Sequence, residues 1–451
     1  MKAPDHAIKL PQFLAGRVAR GAALSLTIRI GALALGFAQA VLFARLLGPA
    51  GYGAVAVTLS VATLVASLAL LGLGGFAVRE VSRLRVHAQF GVLRGFVGWS
   101  TGIVLIAAAI GGGVIAVLTA MPDLALPPEF AWGAAIVPLI AILLLLRGFS
   151  QGFGQVFYAQ APTELVRPAA MVVALAVASI FALPITTGGV LLLLVAAYVL
   201  ASTLASVAII RTMTKTTPRE PKQYHRYQWI RNAAPFFAVG GLATLQLELN
   251  TLLLGWLSTP VETGLFQPVL RFAPIMLIAV QAVNVPLTPR ISELWERGEM
   301  ERLRHVVRLA TITTTGAAVA TCAALLLLAP WILSAFGAAF TANVPALMWL
   351  AAAQILNVAC GPNATLLDMT DHQRFTMWSL VASIAANIVV GVWLIPLHGA
   401  HGAAIAMALG IIVLNILMLI AVRHKLGFDP SLVGAIRSRM FANEQSKNSH
   451  R

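Results

Sequence analysis

Apolar runs long enough to cross a membrane recur along almost the whole chain, and this limits its fold more than any other feature. A run of about 18 residues or more can span the hydrocarbon core as a helix. Twelve such runs are read, at 22–44, 54–76, 97–119, 131–152, 167–184, 189–210, 233–257, 265–288, 308–328, 344–366, 377–396 and 401–422. Of the 451 residues, 59% are hydrophobic and 10% are charged, against roughly 25% charged in a soluble domain. A soluble protein is excluded. The expected fold is an all-α integral membrane protein of about twelve transmembrane helices. The first apolar run is longer than the core of a signal peptide, and Lys2, Lys9, Arg17 and Arg20 precede it. No cleavable signal is expected there.

The net charge of +15 invites a nucleic-acid reading until its distribution is followed. With the N-terminal tail placed inside, 28 of the 31 basic residues fall in that tail, in the even-numbered loops or in the C-terminal tail. Clusters follow helix 2 (Arg79, Arg83, Arg85, Arg94), helix 6 (Arg211 to Arg231) and helix 8 (Arg290 to Arg308). Arg45 alone sits at an outer end, with Arg29 and Arg271 inside spans, while Asp123, Glu129 and Glu262 fall outside. This is the positive-inside rule. The charge encodes orientation, with both termini cytoplasmic, and no nucleic-acid partner is needed. Cys322 and Cys360 lie in apolar spans, so neither a disulfide framework nor a metal spacing exists. No cofactor or metal is expected. The sequon Asn363-Ala364-Thr365 sits at an inner end and is read as chance.

An internal repeat divides the chain. Pro49 and Pro260, Gly53 and Gly264, Arg79 and Arg290, and Gly188 and Gly399 are each separated by 211 residues. The expectation is two pseudo-symmetric six-helix bundles, at 1–211 and 233–425, joined by a cytoplasmic linker at 212–232 and followed by a tail at 426–451. Six helices per half is even, so the repeats run parallel, a symmetry common in transporters with the site near the repeat interface. The linker reads equally as an amphipathic segment on the inner surface or a solvated tether.

Charges inside spans are costly and by default mark function or a specific partner. Arg29 in helix 1, Glu248 in helix 7 and Arg271 in helix 8 are such charges. The helical period places Ser25, Arg29, Gly36 and Gln39 on one face. It groups Gln267, Arg271, Pro274 and Gln281 on another, with Asn284 nearby, and Thr244, Glu248 and Thr251 on a third. Ser60, Thr63 and Ser67 mark helix 2. These stripes suit a shared water-accessible cavity, or else a Glu248–Arg271 pair with the amides as interhelical glue. Two guanidinium groups against one carboxylate favour an anionic substrate, and Arg grips phosphate oxygens bidentately. Arg29, Arg271, Gln39, Gln267 and Gln281 are therefore the candidate substrate-binding residues. Pro274 in helix 8 and Gly111-Gly112-Gly113 in helix 3 read as hinges or as ordinary membrane-helix residues.

The stretch Leu42-Phe43-Ala44-Arg45-Leu46-Leu47-Gly48-Pro49-Ala50-Gly51-Tyr52-Gly53 resembles the helix 1–2 junction of polysaccharide-transporter-family flippases. These belong to the multidrug/oligosaccharidyl-lipid/polysaccharide exporter superfamily. Leu71-Gly72-Leu73, Arg79-Glu80, and Leu394-Ile395-Pro396 followed by Gly399 and Gly402-Ala403-Ala404 continue the likeness, which covers about residues 15–425. The resemblance implies alternating access and export of an undecaprenyl-pyrophosphate-linked oligosaccharide, for O-antigen or exopolysaccharide, to the periplasmic leaflet. It implies that Arg29 and Arg271 serve the pyrophosphate. It also implies a cation among helices 7, 11 and 12, for which Glu248, Asn387 and Asn415 are the candidates here. A proton or sodium ion is the candidate coupling partner; helices 11 and 12 carry no acid, which counts against sodium and leaves a proton carried by Glu248. Membrane lipids, a polysaccharide polymerase and glycosyltransferases are the other candidate partners.

The runner-up is a cation-coupled multidrug antiporter of the same fold, which would want several acids where only Glu248 is present. A membrane enzyme would need sizeable outer loops, and no nucleotide loop, metal motif or nucleophile constellation is found. His398 and His401 read as interface residues. A scramblase or scaffold would tolerate loss of the intramembrane charges.

Overall fold

The computed structural model describes residues 12–122, 127–218 and 220–437. Asp123, Arg219, the first eleven residues and the tail beyond 437 lie outside them, and so do the calls made on those positions. Every regular element among the described residues is a helix. They are α1 (Gln12–Ala69), α2 (Leu73–Val86), α3 (Phe90–Ala120), α4 (Trp132–Gly152), α5 (Val156–Ala161), α6 (Arg167–Ile180) and α7 (Thr187–Thr216). There follow α8 (Arg226–Leu257), α9 (Pro260–Met276), α10 (Ile278–Glu296), α11 (Met300–Phe336), α12 (Val344–Ala359), α13 (Asn363–Met369) and α14 (Gln373–Leu426).

Nine helical segments among the described residues are long and apolar enough to cross a membrane. Two of them are double. α1 turns at Gly48, whose φ of 64° is a left-handed value, and Pro49 restarts the helix; α14 turns at Gly399, with φ 51°. Only glycine adopts such backbone without strain. The remaining span is broken: α9 ends two residues after Pro274, and α10 begins at Ile278. Counting these gives the twelve transmembrane helices of the all-α fold. Gly72, at φ 75°, similarly interrupts the second span between α1 and α2, and Gly361 with Pro362 interrupts the tenth. The glycine triplet of helix 3 causes no break. α3 is continuous, and Gly112 allows close packing, since a Cβ there would overlap the Ala134 carbonyl of α4.

The chain forms two compact units. The first comprises the residues up to Leu42 together with Val61–Gly241. Its centre is aromatic: Phe96 packs edge-on against Phe76, Phe149 and Trp229. Glu80 is buried beside them, accepting from Arg83 (2.8 Å) and from the Trp229 indole (3.3 Å). A buried carboxylate persists only when so satisfied. The segment joining α7 to α8 is held rather than free. The Gln223 N–H donates to the Gly91 carbonyl (3.1 Å), the Gly91 N–H to the Glu220 carboxylate (2.8 Å), and Arg94 to the Glu220 carbonyl (3.2 Å).

The second unit comprises Phe43–Ser60 with Leu242 onward. One apolar cluster includes Leu254, Phe266, Phe272, Leu333 and Leu350; another includes Ile291, Leu303, Leu366 and Val422. Arg45, which the charge pattern leaves at an outer end, donates to the Ala335 carbonyl (2.6 Å) at the end of α11, where the helix dipole favours a cation. Glu262 accepts from the Ala400 N–H (2.8 Å) and so caps the second half of α14.

After α14, Arg423 and Ser431 hold Asp429. Burial pushes the Asp429 carboxyl up, but hydrogen bonds from Ser431 and the Arg423 charge outweigh it and hold the group below its ordinary range. A depressed folded pKa gives stability that is present above the ordinary carboxylate range of about 3.9 and lost as pH falls through the lower folded value. Thermal unfolding of the detergent-solubilised protein is expected to lose stability as pH falls below about 4, with Asp429→Asn showing a smaller slope. Equal slopes would refute this coupling.

Candidate functional site

Two close backbone approaches build the polar centre of the second unit. A Cβ at Gly53 would overlap the Pro260 carbonyl, and one at Gly264 would overlap the Pro49 carbonyl. With both glycines bare, the second half of α1 lies directly on α9. Proline opens each segment, at Pro49 and at Pro260, where its lost N–H and fixed φ are harmless. Thr259 caps α9 through the Glu262 N–H (3.3 Å).

That contact brings α1, α8 and α9 together around one acid and one base. The Ser60 hydroxyl donates to the Glu248 carboxylate at 2.6 Å. Arg271 lies near enough to act electrostatically on both Glu248 and the Tyr52 hydroxyl. Arg271 itself is exposed, although it sits in the middle of α9. Tyr52 is only 2% exposed, and its hydroxyl has no partner of hydrogen-bonding geometry among the described residues. One turn before Arg271, Gln267 is buried and donates to Thr251 of α8 (3.3 Å) and to the Thr263 carbonyl (3.5 Å).

Ser60, Glu248, Thr251, Gln267 and Arg271 thus belong to neighbouring helices of one unit. Tyr52 is the member that sequence reasoning missed; it lies two turns before Ser60 on the same helix. Gln281 lies beyond the α9–α10 break and lines a separate cavity with Asn284 and Asn415. Asn415 donates to the Ile411 carbonyl (2.8 Å), and Asn387 is buried with its carbonyl oxygen unpartnered. Neither amide hydrogen-bonds Glu248 among the described residues. Arg29 and Gln39 lie on α1 in the first unit, where Arg29 is exposed and Gln39 buried. Ser25 falls among the α1 residues whose side chains are outside the described set. His398 is exposed at the turn beside Gly399, and His401 is half-buried.

The twelve-helix fold is the one found in solved transporters of the MOP superfamily. Residues 18–295 match the model of the family described as polysaccharide biosynthesis protein, and the chain belongs to that family. Residues 242–397 also match the MatE family model. Among solved structures the chain is similar to an inward-facing multidrug resistance MATE family transporter, with a TM-score of 0.71, 14% identity, and coverage of 89% of this chain and 98% of the other. It is also similar to the lipid II flippase MurJ in an inward closed conformation, with a TM-score of 0.69, 13% identity, and 89% and 87% coverage. A third likeness is to a superfamily transporter from Pyrococcus furiosus whose describers relate a reversed pocket polarity to a different function (TM-score 0.59, 13% identity, 90% and 94% coverage). No curated relative matches. These identities carry the fold, an integral membrane protein built as transporters and flippases are, and nothing about cargo.

Proposed function

We propose that this protein flips an undecaprenyl-pyrophosphate-linked oligosaccharide from the cytoplasmic to the periplasmic leaflet of a bacterial inner membrane, by alternating access, for surface polysaccharide such as O-antigen or exopolysaccharide. The observation that carries this reading is the state of Arg271. Its guanidinium is exposed in the middle of an apolar helix, while the Glu248 carboxylate takes its hydrogen bond from Ser60 instead. With Arg29 on the first helix of the other repeat, the intramembrane balance is cationic, which suits a pyrophosphate. An inside-negative potential adds about 2.3 kcal/mol per charge per 100 mV to outward movement of an anion. The family match and the likeness to a lipid II flippase support the same direction.

In this reading the two six-helix repeats at 1–211 and 233–425 alternate about the substrate, with 212–232 and 426–451 cytoplasmic. Gln39, Gln267 and Gln281 assist in holding the substrate. Glu248 carries the coupling proton or takes part in a sodium site, with Asn387 and Asn415 as the further candidates. The MatE match and the MATE neighbours favour a second reading, a cation-coupled drug exporter.

The test is complementation of a gene deletion with wild type, Arg29→Ala, Arg271→Ala and Glu248→Gln at matched membrane levels. The arginine variants are expected to lose surface polysaccharide and to accumulate precursor on the cytoplasmic leaflet. Failure of Glu248→Gln as well assigns the carboxylate to coupling. Full complementation by both arginine variants defeats the anion site, and a deletion without any glycan phenotype turns the question to drug export.

A further inference from the structure

We propose that a second site lies wholly inside the second unit, between α10, α11, the α12–α13 junction and the second half of α14, and that it binds one uncharged sugar residue of the transported lipid. The proposal rests on the flippase reading and deepens it. The cavity has a volume of about 250 Å³ and its polar lining includes Gln281, Asn284, Thr314, Asn357, Asn363 and Asn415. None of its lining side chains is charged. A run of five amides in a membrane unit is costly unless something hydrogen-bonds them.

The hydrogen bonds define the ligand. Asn363 donates to the Cys360 carbonyl (3.0 Å), Asn415 to the Ile411 carbonyl (2.8 Å) and Asn357 to Gln354 (3.0 Å). The Thr314 hydroxyl donates to the Ala310 carbonyl (2.7 Å). Each group spends one donor on the protein, and each asparagine keeps a second amide N–H beside its carbonyl oxygen. Asn363 is 1% exposed, and its carbonyl oxygen has no partner. An uncharged wall that both gives and takes hydrogen bonds offers no cation to a phosphate and suits a ligand whose hydroxyl or amide groups do the same.

Size separates a sugar from a metal ion. The cavity holds the equivalent of roughly eight waters at about 30 Å³ each, room for a pyranose ring and too much for one dehydrated cation. Leu277, Val280 and Met418 complete the wall and offer apolar contact to the C–H faces of such a ring. Position agrees as well. Gln281 follows Arg271 by ten residues across the α9–α10 break, at most about 15 Å of helix rise, which is within reach of the first sugars of a lipid whose pyrophosphate is held at Arg271. An acidic sugar would bring a carboxylate for which the wall holds no cation.

The test uses the full chain in lipid nanodiscs, probed by saturation-transfer NMR with glucose, galactose, N-acetylglucosamine and glucuronate. Saturable binding of at least one neutral sugar is expected, at least tenfold weaker in both Asn363→Leu and Thr314→Phe, with no binding of glucuronate. The second variant fills the cavity from another helix, and monodispersity of each variant shows whether it folds. The proposal is overturned if no neutral sugar binds, if both folded variants bind as wild type does, if glucuronate binds equally, or if sodium but not choline displaces the sugar. The probes carry neither phosphate nor lipid. Their failure would leave the Arg271 complementation result standing, and failure of that complementation would leave sugar binding to be explained separately.

Discussion

Replacing Arg271 with alanine is expected to weaken binding of a pyrophosphate-bearing ligand by about 10- to 150-fold, the value of one charge-assisted contact of about 1.5–3 kcal/mol. The measurement is a titration of purified protein in nanodiscs with undecaprenyl pyrophosphate, beside inorganic pyrophosphate. Arg271→Lys is expected to fall between alanine and wild type, because lysine keeps the charge and loses the planar fork that matches phosphate oxygens. The order wild type, lysine, alanine identifies bidentate gripping. An affinity unchanged in the alanine variant would remove Arg271 from the substrate path and leave it a structural companion of Glu248 and Tyr52.

The second large effect concerns folding. Gly264→Ala is expected to destabilise the protein by at least the ~1–3 kcal/mol of an overpacked core, because the new methyl would meet the rigid Pro49 carbonyl rather than a side chain that can turn aside. Gly53→Ala meets the Pro260 carbonyl in the same way. Gly36→Ala is the control. It is helical, nothing lies within 4 Å of a Cβ there, and alanine is favoured over glycine in a helix by about 0.5–1 kcal/mol. Melting in detergent should fall for the first two and hold or rise for the third. If Gly264→Ala melts with wild type, α1 and α9 do not meet as described.

These two cases also mark what was legible in the sequence. The spans could be read because an apolar run must be long enough for the bilayer whatever it packs against. Pro49, Gly53, Pro260 and Gly264 stood out because they keep one spacing, and the structure brings the four together in one contact. Helical period put Glu248 beside Thr251, and Gln267 beside Arg271, since those pairs are local to one helix. Tyr52 was not legible as a site residue. A tyrosine in an apolar helix gives no signal until α9 is known to cross at Gly53, and crossings between distant segments leave no periodic trace. Asn363 shows the same limit from the other side. Its sequon reads as chance and says nothing of the side chain, which is buried against Cys360 and lines a cavity. Arg45 breaks the charge asymmetry at the loop level and makes sense only once the end of α11 is beside it.

The membership of Phe43–Ser60 in the second unit has a consequence for how the protein is made. Its packing partners begin at Leu242, some 180 residues later in the chain. At about 5–20 residues per second of synthesis, those partners leave the ribosome roughly 10–40 seconds after the segment does. During that interval the glycine face of Gly53 and the hydroxyls of Tyr52 and Ser60 wait in the bilayer without Pro260, Gly264 or Glu248. A nascent chain arrested before α8 should therefore expose this segment to lipid or to an insertion chaperone. Release past α9 should close it.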